Sequence, residues 1–212
     1  SLHEKVEAMP NLPLGEKVRL RDGRILALES EAVLFSDDEG TRWETLVERP
    51  FGPDALSPCG PAVVNPGTGT VLAVWIDEWA GNWTWSEELH DTPDARMSTY
   101  AARSTDGGRT WQRQLLYHDW NGDTRNMIRL QSGRIVFSTM KMLHHPGRHG
   151  SLTCYSDDDG LSWTESNIID LGGNGHHDGA IEAPVIELND GRLLLYLRTN
   201  WGQFWRAESR DG

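Results

Sequence analysis

Cysteine is nearly absent from this 212-residue chain, which contains only Cys59 and Cys154. Two cysteines so far apart exclude a disulfide-rich scaffold and leave open whether they form one bridge or two buried thiols. Long apolar runs are missing as well, so we expect a soluble protein without a membrane partner. No basic and apolar leader follows Ser1, so a signal was removed or none existed, and a secreted or periplasmic location stays open.

Positive charge is also scarce, because 20 basic residues face 32 acidic ones and the formal net charge is −12. Such an excess of acid repels polyphosphate, and no basic run offsets it, so we expect no nucleic-acid partner. Helical periodicity is missing too, and the nearest candidate, WSEELHDTPDARM, is interrupted by Pro93. In contrast, 22 Gly and 10 Trp predict many tight turns and packed aromatic side chains, which is typical of an all-β fold.

A short pattern, Ser-x-Asp-x-Gly-x-x-Trp, recurs along the whole chain. It begins at Ser36, Ser104 and Ser156, and a fourth copy starts at Ser209, shortly before Gly212. In this spacing the Asp side chain accepts hydrogen bonds from nearby backbone N–H groups, Gly supplies a positive φ, and Trp packs the turn onto the next strand. We call these segments Asp turns and interpret their carboxylates as turn formers rather than as catalytic groups.

Two apolar runs around a Gly-containing turn precede each Asp turn, as in VRLRDGRILAL and IRLQSGRIVFS. Such runs predict β-hairpins, so each repeat predicts a four-stranded antiparallel sheet. Repeats of roughly 50 to 70 residues are typical of β-propeller blades. The sequence therefore predicts one domain over residues 1–212, with approximate blades 1–50, 51–119, 120–170 and 171–212, the last without its outer strand.

The Asp turns and the hairpins before them resemble the Asp-box (BNR) repeats of the sialidase (neuraminidase) superfamily, whose catalytic domain is a six-bladed β-propeller. The resemblance covers nearly the whole chain, and the copy at 104–111 is its most specific part. It implies an incomplete portion of such a propeller, about four blades truncated at the C-terminus, whose open blade edges could pair with other chains. It also implies a glycoside hydrolase, in its specific form an exo-sialidase, that removes a terminal acidic sugar from a glycan.

The stretch IEAPVIELNDGRLLLYLRTN resembles a sialidase segment with a Glu before the inner strand of a blade and an Arg after the next strand. On that resemblance, Glu182 takes a proton from a nucleophilic Tyr, and Arg198 belongs to a clamp of three arginines for the substrate carboxylate. Strand geometry supports the pair independently, because the residue entering one strand and the residue leaving its hairpin partner lie at the same rim. We therefore expect both side chains in one central funnel.

The same rule and the flanking sequence supply further candidates. Asp178 or Asp77 would be the second catalytic carboxyl group beside Glu182, because glycoside hydrolysis uses two such groups. The substrate-binding candidates are Arg125, Asn126, Lys141, His144, His176, His177, Asn200 and Trp201. These rim residues are rich in cations and aromatic rings, a combination that suits an anionic sugar.

Two features differ from the sialidase pattern. Sialidases carry an Arg-Ile-Pro signature whose Arg joins the clamp, whereas this chain reads Asn11, Leu12, Pro13. The loop that holds their acid/base Asp offers only Glu29 and Glu31 here. The alternative function is a non-catalytic glycan-binding or assembly propeller, in which no two carboxyl groups of the funnel come within roughly 5–10 Å.

Motifs for cofactors are missing. The sequence has no HExxH or CxxC pair, no Walker loop, no GxGxxG and no GxSxG. Adjacent histidines such as His144 and His145 point to opposite faces of a strand and rarely bind one ion. We therefore expect no cofactor and no catalytic metal.

Overall fold

The computed structural model describes residues 6, 9, 11–50, 59–120 and 123–211, with the side chains at 59 and 77–80 excepted. This part of the chain contains fifteen β-strands and no helix, and therefore no helix that could cross a membrane. The strands form four antiparallel sheets, and each sheet follows chain order without a crossover. Consecutive sheets correspond to consecutive repeats of the sequence.

The strand bounds follow the repeats. The first sheet comprises β1 (Glu16–Arg19), β2 (Ile25–Leu28), β3 (Ala32–Ser36) and β4 (Glu44–Glu48). The second comprises β5 (Cys59–Val64), β6 (Val71–Asn82), β7 (Arg96–Ser104) and β8 (Gln112–Tyr117). The third comprises β9 (Thr124–Arg129), β10 (Ile135–Leu143), β11 (Arg148–Ser156) and β12 (Thr164–Glu165). The fourth comprises β13 (Val185–Glu187), β14 (Leu193–Leu197) and β15 (Trp205–Ser209).

The first hairpin of each sheet closes on a positive-φ glycine. Gly23 adopts a φ of 92° and donates its N–H to the carbonyl of Leu20 at 3.1 Å. The equivalent Gly133 adopts a φ of 96° and donates to Leu130 at 2.9 Å. Because L-residues with a side chain rarely adopt this conformation, glycine fixes the place at which the chain reverses.

Both faces of the inner strands are buried, and this burial builds the propeller. In β6, Val71 and Ala73 pack against the first sheet, while the alternating Leu72 and Val74 pack against the third sheet around Phe137. The innermost strands β1, β5, β9 and β13 contact one another in that order. Sheets that stack face to face around their inner strands are blades, so the predicted all-β propeller of antiparallel blades is confirmed.

The Asp turns have the geometry that their spacing predicts. In the second turn, Asp106 Oδ1 accepts hydrogen bonds from Ser104 Oγ at 2.9 Å and from the N–H groups of Arg109 and Thr110 at 3.1 and 2.9 Å. Burial disfavours the ionised form, but these hydrogen bonds and one from the Thr110 hydroxyl outweigh it and lower the pKa of Asp106 to about 2. Hydrogen bonds from Ser162 lower the pKa of Asp158 likewise to about 2. These carboxylates are structural.

The second and third Asp turns pack onto the blades that precede them. A Cβ added to Gly108 would lie 2.7 Å from Leu26 of the first blade, and one added to Gly160 would collide with Leu72 of the second. Trp111 and Trp163 of the same turns pack against the clusters between those blades. Both positions therefore require glycine for two reasons: the backbone has a positive φ, and a Cβ would collide with the preceding blade.

Two further features concern the cysteines and the loop around Pro93. Cys154 is a buried free thiol, and burial raises its pKa to about 12. The loop between β6 and β7 forms a short bridge of Ser86 with Asp91 rather than a helix. The extent of the domain over residues 1–212, and its truncation, stay predictions.

Candidate functional site

Glu182 and Arg198 meet at one rim of the fourth blade. Ile181 and Arg198 form an isolated antiparallel bridge, with backbone hydrogen bonds of 3.0 and 3.1 Å, just before β13 and just after β14. Glu182 Oε1 lies 2.9 Å from Arg198 Nη1 and 3.0 Å from Nη2 of Arg125, which belongs to the third blade. The structure therefore brings together three of the residues that were predicted to lie at this rim.

The backbone of Glu182 is strained. Its φ is 52°, in the left-handed region, which costs roughly 1–2 kcal/mol for a residue with a Cβ. Glycine would relieve that cost, yet the position carries a long acidic side chain. Strain of this kind concentrates at functional sites, where the surrounding structure holds the residue in place.

A second carboxyl group, Asp123, lies beside the first. Its Oδ2 is 2.5 Å from Arg125 Nε, so Asp123 and Glu182 occupy neighbouring nitrogens of one guanidinium group. That arrangement keeps the two carboxyl groups closer than the ~9.5 Å upper limit for glycosidase pairs. Burial raises the pKa of Asp123, and the nearby charge of Glu182 raises it further, against the lowering effect of Arg125.

Asp123 is not among the residues predicted from the sequence, although its neighbours Arg125 and Asn126 are. An acidic residue two positions before a rim arginine lies on the same side of an extended chain, and that spacing was the available signal.

A cavity of about 240 Å³ opens beside this cluster. Its walls are formed by Trp83, Trp120, Met140, His149, His176, His177, Ile181, Glu182 and Arg198. The ring of Trp83 lies 5.8 Å from Trp120 and 5.7 Å from His176, so aromatic faces from three blades converge there. Two larger cavities of about 510 Å³ lie near Asp211 at the third and fourth blades, but the Glu182 cluster is not part of their walls.

His149 is the most buried histidine of the cavity wall, with 4% of its surface exposed. Its Nε2 lies 2.9 Å from the carbonyl oxygen of His176, which can only accept, so Nε2 carries the proton. Burial, together with the neighbouring His177 and His176, lowers the pKa of His149 and favours the neutral ring. Its Nδ1 is then a bare acceptor, and it has no hydrogen-bond partner in the structure.

Three other candidates are engaged in joining structural elements. Lys141 Nζ lies 2.6 and 2.7 Å from the two carboxylate oxygens of Glu165. The Asn126 amide spans two blades, because it donates to the carbonyl of Val185 at 2.7 Å and accepts from its N–H at 2.9 Å. His144 Nδ1 lies 2.8 Å from Asp91 Oδ1, and none of these three side chains lines the cavity.

The remaining candidates occupy different positions. Asp178 holds the glycine-rich loop, accepting the Asn174 N–H at 3.0 Å, with the Asn200 amide at 3.5 Å. Trp201 is exposed and packs edge-on against Trp205. His176 and His177 line the cavity with ring centroids 4.0 Å apart, whereas the side chain of Asp77 lies outside the described residues. Within the described part of the chain, no three His, Cys, Asp or Glu side chains are arranged to hold a metal.

The fold and the blade repeats define a propeller of the sialidase-like type. The sequence profile of the BNR repeat-like domain matches residues 32–212, and the chain belongs to that family. This family belongs to the superfamily of sialidase-like BNR propellers.

Relatives of known structure or activity agree with this assignment. The chain is 26% identical over 166 residues to a sialidase of Micromonospora viridifaciens, covering 71% of this chain and 24% of that protein. The NanB sialidase of Streptococcus pneumoniae is similar with a TM-score of 0.58 and 15% identity, over 92% of this chain and 49% of that one. An alpha-L-arabinanase of Penicillium chrysogenum in complex with arabinobiose has a TM-score of 0.58 and 14% identity, over 92% and 62%. The chain thus spans less than two thirds of each relative.

Proposed function

We propose that this protein is a glycoside hydrolase that removes a terminal sugar from a glycan, with the sugar bound in the cavity beside Glu182. The observation that carries the proposal is the pair of carboxyl groups, Glu182 and Asp123, held on one guanidinium group beside that cavity. The non-catalytic alternative predicted that no two carboxyl groups would come so close. Glycoside hydrolysis needs two such groups with different protonation states.

The environments of the two groups suit different roles. Asp123 has a raised pKa, so a larger fraction of it is protonated and can donate a proton to the leaving glycosidic oxygen. Glu182 contacts two guanidinium groups and acts as the carboxylate that takes the proton from the attacking nucleophile. Arg125 contacts both carboxyl groups and is the residue that sets their spacing.

The aromatic wall supplies binding rather than chemistry. Trp83 and Trp120 present indole faces next to the cluster, and such faces pack against the apolar face of a sugar ring. Glu182 and Arg198 line the same cavity. A terminal sugar bound in this cavity would have its glycosidic bond near the carboxyl groups.

The finer proposal is exo-sialidase activity, which the similarity to the Micromonospora viridifaciens sialidase favours. It requires that Arg198 and Arg125, beside the cavity, bind the carboxylate of a sialic acid. Release of methylumbelliferone from its N-acetylneuraminic acid glycoside measures this activity directly. An arabinanase is also among the similar structures, so the assay needs glycosides of several sugars.

The decisive experiment replaces Glu182 by glutamine. We expect Glu182→Gln to lower kcat/KM by about a thousandfold or more, because an essential proton transfer typically contributes 10²–10⁴-fold. The matched control is Glu208→Gln, which removes an equally charged group paired with Arg192 at 3.1 Å on the exposed strand β15. Wild-type kinetics for Glu182→Gln, or sugar binding without any turnover in the wild type, would overturn the proposal in favour of a glycan-binding propeller.

A further inference from the structure

Resting on the proposed function, we infer that Asn126 is a positioning residue for the two carboxyl groups. Its amide binds the inner strand of the fourth blade and thereby holds Arg125 against Glu182. Asn126 is not part of the cavity wall, so it acts through these neighbours and not on the sugar. Three observations carry the inference: the hydrogen bonds of the amide, a β-bulge in β9 and the anchoring of the segment around Glu182.

The amide of Asn126 takes the place of a strand partner. β13 is the innermost strand of its sheet, so one of its edges has no neighbouring strand in that sheet. The amide donates to the carbonyl of Val185 at 2.7 Å and accepts the Val185 N–H at 2.9 Å, as the backbone of a further strand would. Because β9 and β13 belong to different sheets, no ladder sets their relative position. Two hydrogen bonds to one residue set both their distance and their relative height.

A β-bulge in β9 directs Asn126 towards the fourth blade. The register between β9 and β10 shifts by one residue, so that Arg125 and Asn126 together oppose Ser138. Successive side chains of a regular strand point to opposite faces. Here both side chains reach the fourth blade, where the first contacts Glu182 and the second Val185. Bulges redirect side chains in this way and are common beside active sites.

The segment that carries Glu182 is anchored on both sides. Before it, Ile181 forms backbone hydrogen bonds of 3.0 and 3.1 Å with Arg198. After it, Val185 is held by Asn126. A residue such as Glu182, with a φ of 52°, persists in that conformation only where the surrounding structure fixes its backbone. Loss of the second anchor should therefore let Glu182 relax away from the third blade.

This anchor also bears on the protonation of Asp123. Asp123 directly precedes β9 and contacts Arg125 within that strand, so these two groups move together, whereas Glu182 belongs to the fourth blade. Burial raises the pKa of Asp123 and the charge of Glu182 raises it further, against the lowering effect of Arg125. If Glu182 moves away and water enters, both raising effects weaken while Arg125 stays. The pKa of Asp123 should then fall.

The first experiment removes the amide. Asn126→Ala should lower kcat for the methylumbelliferyl glycoside that the wild type hydrolyses by about 10- to 100-fold, because a small misplacement of catalytic groups can cost on the order of 10²-fold. KM should stay within about twofold of the wild type, since Asn126 does not line the cavity. A wild-type kcat in this variant would overturn the inference.

The matched control is Glu187→Ala, which breaks another link between the same two blades. Glu187, at the far end of β13, accepts the N–H of Gln131 at 2.9 and 3.2 Å. This variant should keep the wild-type kcat, because its link lies away from the carboxyl pair. Thermal unfolding of both variants reports the stability that each link contributes. Equal losses of kcat in the two variants would make Asn126 a structural link only and overturn its positioning role.

The second experiment needs no turnover. The side-chain carboxyl ¹³C shift of Asp123, followed against pH and assigned by its absence in Asp123→Asn, reports the pKa of this group. We expect a raised pKa in the wild type and in Glu187→Ala, and a pKa closer to the ordinary value in Asn126→Ala. An unchanged or higher pKa in Asn126→Ala overturns the inference. If the wild type hydrolyses no glycoside, the glycosidase proposal fails, and this titration alone decides whether Asn126 holds the cluster together.

If Asn126→Ala does not fold, Asn126→Gln replaces it in both experiments. Glutamine keeps the amide but lengthens the side chain by one methylene group, so both hydrogen bonds to Val185 cannot form at the present distance between the strands. We expect the same changes of kcat and of the Asp123 pKa, at smaller size. Wild-type values of both in the folded Asn126→Gln variant would overturn the inference.

Discussion

The two rims of the propeller use the same residue types in different ways. At the rim of the Asp turns, carboxylates such as Asp106 and Asp158 accept hydrogen bonds from residues within four positions in the chain. At the opposite rim, Glu182 is held by Arg198 of its own blade and Arg125 of the blade before. The carboxylates of the Asp turns find their hydrogen-bond donors nearby in the chain and stabilise the scaffold. Glu182 is held by residues from distant segments, next to polar atoms that have no partner, and this arrangement is what marks the candidate site.

The largest effect is expected on catalysis, when a carboxyl group at the rim of Glu182 is replaced. Asp123→Asn should lower kcat by about a thousandfold, because a positioned proton donor contributes roughly 10²–10⁴-fold. The alkaline limb of the wild-type pH–rate profile should report deprotonation of Asp123. Because an asparagine side chain does not titrate, the variant should also lose this limb. Its thermal midpoint should stay within a few degrees of the wild type.

The control is Asp106→Asn at the other rim, which should keep the wild-type kcat. Equal losses of kcat in the two variants would abolish the distinction between the rims. An unchanged pH–rate profile in Asp123→Asn would instead assign Asp123 to positioning Arg125.

The next effect is on stability and concerns two glycines. Gly160→Ala should lower the free energy of unfolding by about 3 kcal/mol, because the added Cβ collides with Leu72 and the φ of 82° is unfavourable for alanine. Gly172 has a φ of 79° with no atom within 4 Å of an added Cβ, so Gly172→Ala should cost only about 1 kcal/mol. Urea denaturation measures both values, and similar values would contradict the packing of the Asp turn on the preceding blade.

A somewhat smaller effect is expected on the pH dependence of stability when Asp106 is replaced. Because the folded-state pKa of Asp106 is about 2, below its ordinary value of 3.8, its contribution to stability is present above about pH 4 and is lost as pH falls towards 2. Asp106→Asn should therefore be less stable at neutral pH by only about 1 kcal/mol, because solvent screens this exposed carboxylate, and it should be less sensitive to acid between about pH 4 and pH 2. Denaturation curves at several pH values measure this. A parallel pH dependence in the variant and the wild type would contradict the hydrogen-bonded turn.

The smallest effect should come from an exposed ion pair. Arg19 and Glu39 lie 2.6 Å apart, but their side chains are 52% and 74% exposed. Solvent screens a pair of this exposure, so Arg19→Gln should leave the urea midpoint almost unchanged. Urea denaturation at low and high salt tests this, and a loss of stability larger than that of Gly172→Ala would show that the short contact distance matters more than the exposure.

Local chemistry explains how much could be predicted from the sequence. The turn from Ser104 to Trp111 depends on hydrogen bonds within eight residues, so its spacing alone predicts the geometry. The meeting of Glu182 and Arg198 follows from one hairpin and is equally local. The all-β propeller then follows because the alternation of apolar residues buries both faces of each blade.

Contacts between blades could not be predicted in this way. Asn126 lies at the expected rim, but its amide is taken up by the backbone of Val185 in the next blade. His149 lies in a buried part of β11, between Arg148 and Gly150, and its position depends on a loop far along the chain that supplies the His176 carbonyl. Such pairings are set by the stacking of blades, which periodicity does not encode.

The packing of the second and third Asp turns onto the blades before them has a consequence for the order of folding. As the chain leaves the ribosome, the apolar face around Leu26 stays uncovered until the turn at Gly108 has been made, and that around Leu72 until the turn at Gly160. During synthesis from the N-terminus, the apolar face of each of these blades is therefore buried only after the next blade has been made. A stalled nascent chain would expose the apolar face of its last completed blade.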